Sequence, residues 1–164
     1  MRYTGTVAEG GPSDVRVLPG LTIRKASVGP TDNNCYLLTC VVSGEQMLID
    51  AANDAARLQR LAEEGTGEIS TILTTHRHPD HVRALKELTK ATGATTLAGR
   101  YDADALPVEP DRRLEHGDGV RLGALTFGVT HLRGHTPGAV ALSWTEPDGR
   151  AHLFVGDSLF PGGV

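Results

Sequence analysis

Near the start of the chain apolar and polar residues alternate with a period of two: Val15 and Val17, then Leu21 and Ile23, with Pro19-Gly20 between the pairs. Alternation of this kind puts successive side chains on opposite faces, so two short strands joined by a turn are predicted. Apolar residues 35–42 and 47–49 flank Ser43-Gly44-Glu45-Gln46 and read as a hairpin whose second strand closes at Asp50. Leu58, Leu61 and Ala62 then change the period to that of a helix, with Asn53 or Asp54 as its cap and Gly65 as its stop. Residues 69–74 form the next strand. A second helix is expected to follow at once, carrying Val82, Leu85 and Leu88 and stopping near Gly93, and residues 94–98 return as a strand. Residues 102–118, with Pro107 and Pro110 and few apolar positions, predict a surface loop that could line a substrate pocket. Four strands follow at 120–122, 125–132, 139–144 and 151–155, the last two joined through Pro147-Asp148-Gly149. Strands, then helices, then strands predict an α/β protein in which helices cover sheets.

Length and composition narrow this picture. A chain of 164 residues can bury one real core, so residues 1–164 are read as a single domain with 1–14 as a loose lead-in. With 39% hydrophobic and 22% charged residues the composition is that of an ordinary globular protein. No apolar run reaches membrane-spanning length, and Met1-Arg2-Tyr3-Thr4-Gly5 opens no hydrophobic signal core, which predicts a cytoplasmic location. The formal charge of -4, with basic residues scattered apart from Arg112-Arg113, excludes a basic nucleic-acid surface. Cys35 and Cys40 lie five apart on one predicted strand, on opposite faces and beyond disulfide reach, so both are expected as buried reduced thiols.

The segment Thr75-His76-Arg77-His78-Pro79-Asp80-His81 concentrates chemistry that nothing else in the pattern explains. In an extended segment His76 and His78 point the same way and can reach one ion. Pro79 turns the chain, so Asp80 and His81 can face a neighbouring position. Imidazole and carboxylate are the usual ligands of zinc and comparable metals. Two later strand ends add candidates: His135, in Arg133-Gly134-His135-Thr136-Pro137-Gly138, and Asp157, in Leu153-Phe154-Val155-Gly156-Asp157. Groups on several strand ends can converge at one sheet edge.

Taken together, the His-x-His-x-Asp-His loop at 76–81, Gly134-His135-Thr136-Pro137-Gly138, Gly156-Asp157 and the strand ending Leu48-Ile49-Asp50 resemble the metallo-β-lactamase superfamily, most closely its small glyoxalase II-like hydrolases. The resemblance spans roughly residues 15–163. It implies an αββα sandwich with a metal site in a cleft at one sheet edge. Carried over, it makes His76, His78 and His135 ligands of a first metal and Asp80 and His81 ligands of a second, with Asp157 bridging. Two zinc ions per complete domain are implied, iron or manganese being alternatives, with Asp80 orienting the attacking water. Asp50 is either a support for the histidine loop or a plain strand terminator. His116, His131 and His152 match no ligand motif, and segment 32–34 before Cys35 is one that approaches the cleft in this family.

The chain departs from the family pattern after Asp157, where seven residues without a histidine follow. Further strands and helices and a last histidine ligand are therefore expected to be missing, leaving an open edge or an uncovered apolar face. A fragment is the simplest expectation; a complementing chain, domain exchange and a naturally short homologue stay open, as does a homo-oligomer covering that edge. The resemblance implies metal-dependent hydrolysis of an ester, thioester or lactam-like bond in a small-molecule substrate. Its alternatives are a mononuclear iron persulfide dioxygenase using His76, His135 and Asp157, or an inactive domain that holds metal structurally.

Overall fold

Two β-sheets pack face to face, the first apolar on both faces and the second on the face it turns to the first. The computed structural model describes residues 2–163; Met1 and Val164 lie outside it. The first sheet has seven strands in the order β1 (Asp14–Leu18), β2 (Leu21–Val28), β3 (Asn33–Cys40), β4 (Gln46–Ile49), β5 (Thr71–Thr74), β6 (Thr95–Gly99) and β7 (Arg112–Leu114). Pairing is antiparallel up to β4 and parallel from there on. The parallel half needs crossovers, supplied by α1 (Ala55–Glu63) between β4 and β5 and α2 (Leu85–Thr92) between β5 and β6. The second sheet is antiparallel, in the order β11 (Ala151–Phe154), β10 (Val140–Thr145), β9 (Leu125–His131) and β8 (Gly119–Leu122).

Period-two alternation divides the first sheet between two cores. Cys35, Leu37, Leu48 and Ile72 pack under α1 and α2 with Leu58, Leu61, Leu85 and Leu88. Leu38, Cys40, Met47 and Leu73 face Leu122, Phe127, Leu142 and Trp144 of the second sheet. The two free thiols therefore lie buried in different cores, as their odd separation requires. Burial pushes the Cys35 thiol up to about 12, so it stays protonated.

Two sequence expectations change, and a third is resolved between its alternatives. Helix α2 starts at Leu85 and not at Val82, because Pro79–His81 form a separate helical turn and the Arg83 and Ala84 amides donate to Ala52 and Ala51 carbonyls. Residues 102–118 are not a plain surface loop. They contain β7, held in parallel register on β6 and clamped where the Asp111 carboxylate accepts the Thr96 amide and hydroxyl. The outer face of the second sheet is not broadly apolar: it presents Thr126, Gly128 and Ser143, with Leu153 the exposed exception, while β11 is an open edge. Among the described residues the lead-in carries no strand before Asp14 yet is fastened, since the Thr4 and Gly5 amides donate to the Asp14 carboxylate and Arg57 donates to the Gly11 carbonyl. Among the described residues no helix is long and apolar enough to cross a membrane.

Candidate metal centre

The C-terminal ends of the parallel strands, with the β9–β10 turn and the segment after β11, build one cluster of imidazoles and carboxylates. The chain leaves β5 extended, so His76 and His78 point to one side, and their rings lie 4.8 Å apart. The β9–β10 turn brings His135 to them, with ring centroids 4.7 Å from His76 and 4.5 Å from His78. One ligand atom from each of these histidines lies within 4.8 Å of the others. A second set within the same limit consists of Asp80, His81 and Asp157. Asp157 stands between the two sets. Its Oδ1 is 3.1 Å from His81 Nε2, and its Oδ2 is 3.5 Å from His135 Nε2 and 3.8 Å from His76 Nε2. All six residues singled out in the sequence therefore meet in one place.

Gly156 makes that approach possible. Its φ is +53°, and a Cβ there would fall 2.5 Å from Thr75 Oγ1, so a side chain would push Asp157 off the histidine loop. Asp50, also at positive φ (61°), directs its buried carboxylate across the sheet edge. Its Oδ1 accepts the Thr75 amide at 2.7 Å, and its Oδ2 accepts the Thr75 hydroxyl at 2.7 Å and His81 Nδ1–H at 2.8 Å. Asp50, His76 and His81 also have ligand atoms within 4.8 Å of one another. With both Asp50 oxygens occupied by these donors, we read it as the support of the loop and not as a ligand.

The same network assigns tautomers. His81 donates its Nδ1–H to Asp50, which turns its Nε2 toward Asp80 and Asp157. The Thr75 hydroxyl donates to Asp50, so its oxygen, 3.0 Å from His76 Nδ1, accepts that ring's proton. His76 Nε2 is then a buried lone pair with no hydrogen-bond partner among the described residues. An orphan acceptor inside a ring of nitrogen and carboxylate donors fits a metal ion, because leaving it unpaired is costly.

Electrostatics divides the histidines. Burial, reinforced by His81 nearby, lowers His76 to about 4. Burial also opposes charge on His81, but its hydrogen bond to Asp50 and the nearby Asp157 and Asp80 carboxylates raise it to about 9. Burial likewise pushes Asp80 upward, yet the Asn33 amide donating at 3.0 Å and the His81 charge hold it below the usual carboxylate range.

After chelation of bound metal these shifts predict a stability maximum near pH 6.5. His81 has a folded value raised above its unfolded value of about 6.5, so its contribution is complete below that pH and is lost as pH rises through about 9. His76 has a depressed folded value, so stability falls as pH drops from about 6.5 toward about 4. Thermal melts across this range should show both limbs, with His81→Gln flattening the alkaline one. A melting temperature that climbs steadily from pH 6.5 to 9 would contradict the His81–Asp50 assignment.

Beside the centre opens a cleft of about 290 Å³, lined by Asn33, Tyr36, Asp80, His81, Asp157 and Phe160 among others. Residues 102–118 do not line it. Leu153, Leu159 and Phe160 are exposed at its lip. Asn33, Thr75 and Asp102 are site residues that motif reasoning missed, since asparagine and threonine are not common metal ligands and Asp102 stands outside every motif; the one available signal was the placement of 32–34 near the cleft. The other histidines are held elsewhere: His131 Nε2 lies 2.7 Å from the Pro137 carbonyl, and His152 Nε2 lies 2.6 Å from Glu146.

Comparison with known proteins places this geometry. The family model of the metallo-beta-lactamase superfamily matches residues 28–164. A hydroxyacylglutathione hydrolase of Fuscovulum blasticum is 39% identical over 132 residues, covering 80% of this chain and 50% of that protein. One from Rhodopseudomonas palustris is 38% identical over 149 residues, covering 91% and 53%. The chain thus spans about half the length of these relatives. Among solved structures, BJP-1, a subclass B3 metallo-beta-lactamase of Bradyrhizobium japonicum, superposes with a TM-score of 0.70 at 27% identity, covering 85% of this chain and 60% of that one. ETHE1 from Myxococcus xanthus gives 0.71 at 26% identity, covering 85% and 58%.

Proposed function

The chain belongs to the metallo-beta-lactamase superfamily, and from that premise we propose that it is a metal-dependent hydrolase of small-molecule esters, thioesters or lactam-like bonds, with a hydroxyacylglutathione-type thioester as the first substrate to test. The observation that carries this reading is the pair of donor sets with Asp157 of the second standing beside the first, together with the orphan His76 Nε2. His76, His78 and His135 would hold one ion, and Asp80 and His81 another, with Asp157 between them; zinc suits this mixture of imidazole and carboxylate.

When bound, the metal supplies a Lewis acid and brings the pKa of water to near 7. The protein's own contribution is orientation. Asp50 and Thr75 fix how the two rings are turned, so His76 presents the Nε2 lone pair directly, whereas His81, raised to about 9, frees its Nε2 on losing the second ring proton. Asn33 fixes one Asp80 oxygen, which leaves that carboxylate, ionised at neutral pH, to orient the attacking water and take up its proton. No serine or cysteine nucleophile is needed; Cys35 is buried and protonated.

Metal analysis of the purified chain should find bound zinc, iron or manganese, and a panel of thioester, lactone and β-lactam substrates should show hydrolysis that chelation abolishes. Protein free of metal after growth in zinc, iron and manganese, and inert on the panel, would overturn the proposal. A second reading, iron-dependent oxidation of a persulfide, draws on His76, His135 and Asp157, which converge with Asp157 Oδ2 at 3.8 and 3.5 Å from the two imidazoles. The second donor set favours hydrolysis over it. One iron per chain with oxygen uptake on glutathione persulfide would select the oxidation instead.

A further inference from the structure

Asp102 is 1% exposed and belongs to neither donor set, yet its carboxylate joins the two loops that carry the first set. Its Oδ2 accepts the Arg77 amide at 3.0 Å and the Thr136 hydroxyl at 2.6 Å. Its Oδ1 accepts the Gly138 amide at 2.8 Å and lies 3.8 Å from Arg77 Nε. Arg77 stands between His76 and His78, and Thr136 directly follows His135. One buried anion therefore spans from the histidine pair to the third histidine.

The anchor itself is rigid. The Asp102 amide donates to the Gly99 carbonyl at 3.1 Å, and its carbonyl accepts the Ala105 amide at 3.0 Å. A Cβ on Gly138 would fall 2.2 Å from the Asp102 backbone nitrogen, so glycine at 138 permits the contact. Hydrogen bonds to an ionised carboxylate are roughly twice as strong as neutral ones. Buried amides deprived of that acceptor would be left unpaired.

We propose that Asp102 is a positioning residue of the metal centre, setting the distance between the His76–His78 pair and His135. It touches neither metal nor substrate. The inference rests on the metal-centre reading above and deepens it, because a ligand set holds its ion tightly only when its loops are fixed to within about 0.5 Å. Loss of a residue that orients ligands typically costs about 10–100-fold in metal affinity.

Cobalt(II) binding to the purified chain, measured by chelator competition and by the ligand-field absorption spectrum, tests this. Asp102→Asn keeps the shape but sets an amide NH2 against one of the donors, and should weaken cobalt binding by at least about 10-fold with an altered spectrum. Thr136→Val, which removes a single bond, should shift both readouts in the same direction but less, and it decides the case should Asp102→Asn fail to fold. Asp111→Asn is the control. It breaks a comparable carboxylate clamp, on Thr96, remote from the ligand loops, and should leave both readouts unchanged. Wild-type affinity and spectrum in Asp102→Asn and Thr136→Val would overturn the inference, as would equal weakening by Asp111→Asn. A wild-type chain that binds no cobalt would instead overturn the metal-centre reading, and this inference with it.

Discussion

Replacing Asp50 with alanine should destabilise the protein by about 3–5 kcal/mol, the range for removing one partner from a buried charged pair. The carboxylate is 2% exposed and its partner His81 3%. Alanine would strand the Thr75 amide, the Thr75 hydroxyl and His81 Nδ1–H together. The new alanine would also have to keep the left-handed φ of 61° that Asp50 adopts, where aspartate is tolerated better than alanine. Urea unfolding of the chelated protein checks this; a midpoint within error of wild type would contradict the network.

Asp50→Asn should separate support from stability. Asparagine keeps the volume, and its oxygen can still accept the Thr75 amide. Its NH2, placed where Oδ2 now lies, would donate to the Thr75 hydroxyl oxygen and to His81 Nδ1. His81 must then carry its proton on Nε2, aimed at Asp80 and Asp157, and a protonated nitrogen cannot ligate. The variant should fold with most of wild-type stability but bind less metal per chain than wild type. Wild-type stoichiometry in Asp50→Asn, by metal analysis after dialysis, would show that Asp50 does not set the His81 tautomer.

Legibility of the fold followed the physics of each element. Strands β2, β8 and β9 alternate buried and more exposed positions, whereas β3 and β4, buried on both faces, were marked by continuous apolar runs between turns; α1 was marked by its apolar stripe and its Asp54 cap, whose carboxylate accepts the Arg57 amide. Strand β7 was hidden because it buries only Leu114 of its three residues and owes its place to backbone pairing and the Asp111 clamp. The start of α2 was misread because the Ala51 and Ala52 carbonyls that capture its upstream amides lie some thirty residues away in sequence, roughly the span of a βαβ unit. The six ligand candidates were legible because histidine and aspartate at strand ends announce their chemistry. Thr75, Asn33 and Asp102 were not, because a hydroxyl, an amide or a buried carboxylate becomes a positioning group only through what it touches in three dimensions.

That difference between announcing residues and positioning residues bears on His76, whose buried Nε2 lacks a partner. Saturating zinc should raise the melting temperature of the wild-type chain strongly: at a free concentration near 1,000 times Kd the gain is about 4 kcal/mol, or roughly 8–16 °C for a chain of this size. His76→Leu should reverse sign between conditions. In chelator it removes an unpaired acceptor that costs about 1–3 kcal/mol when buried, and leucine fills similar space, so melting should match or exceed wild type. In zinc it removes a proposed ligand of the first position, and most of the shift should vanish. A general packing defect would lower both melts together, and a residue irrelevant to metal would leave the zinc shift intact. Either pattern would refute the assignment of His76 Nε2 as a ligand atom, whereas crossing of the two melting curves would tie the orphan nitrogen to the ion that the other donors surround.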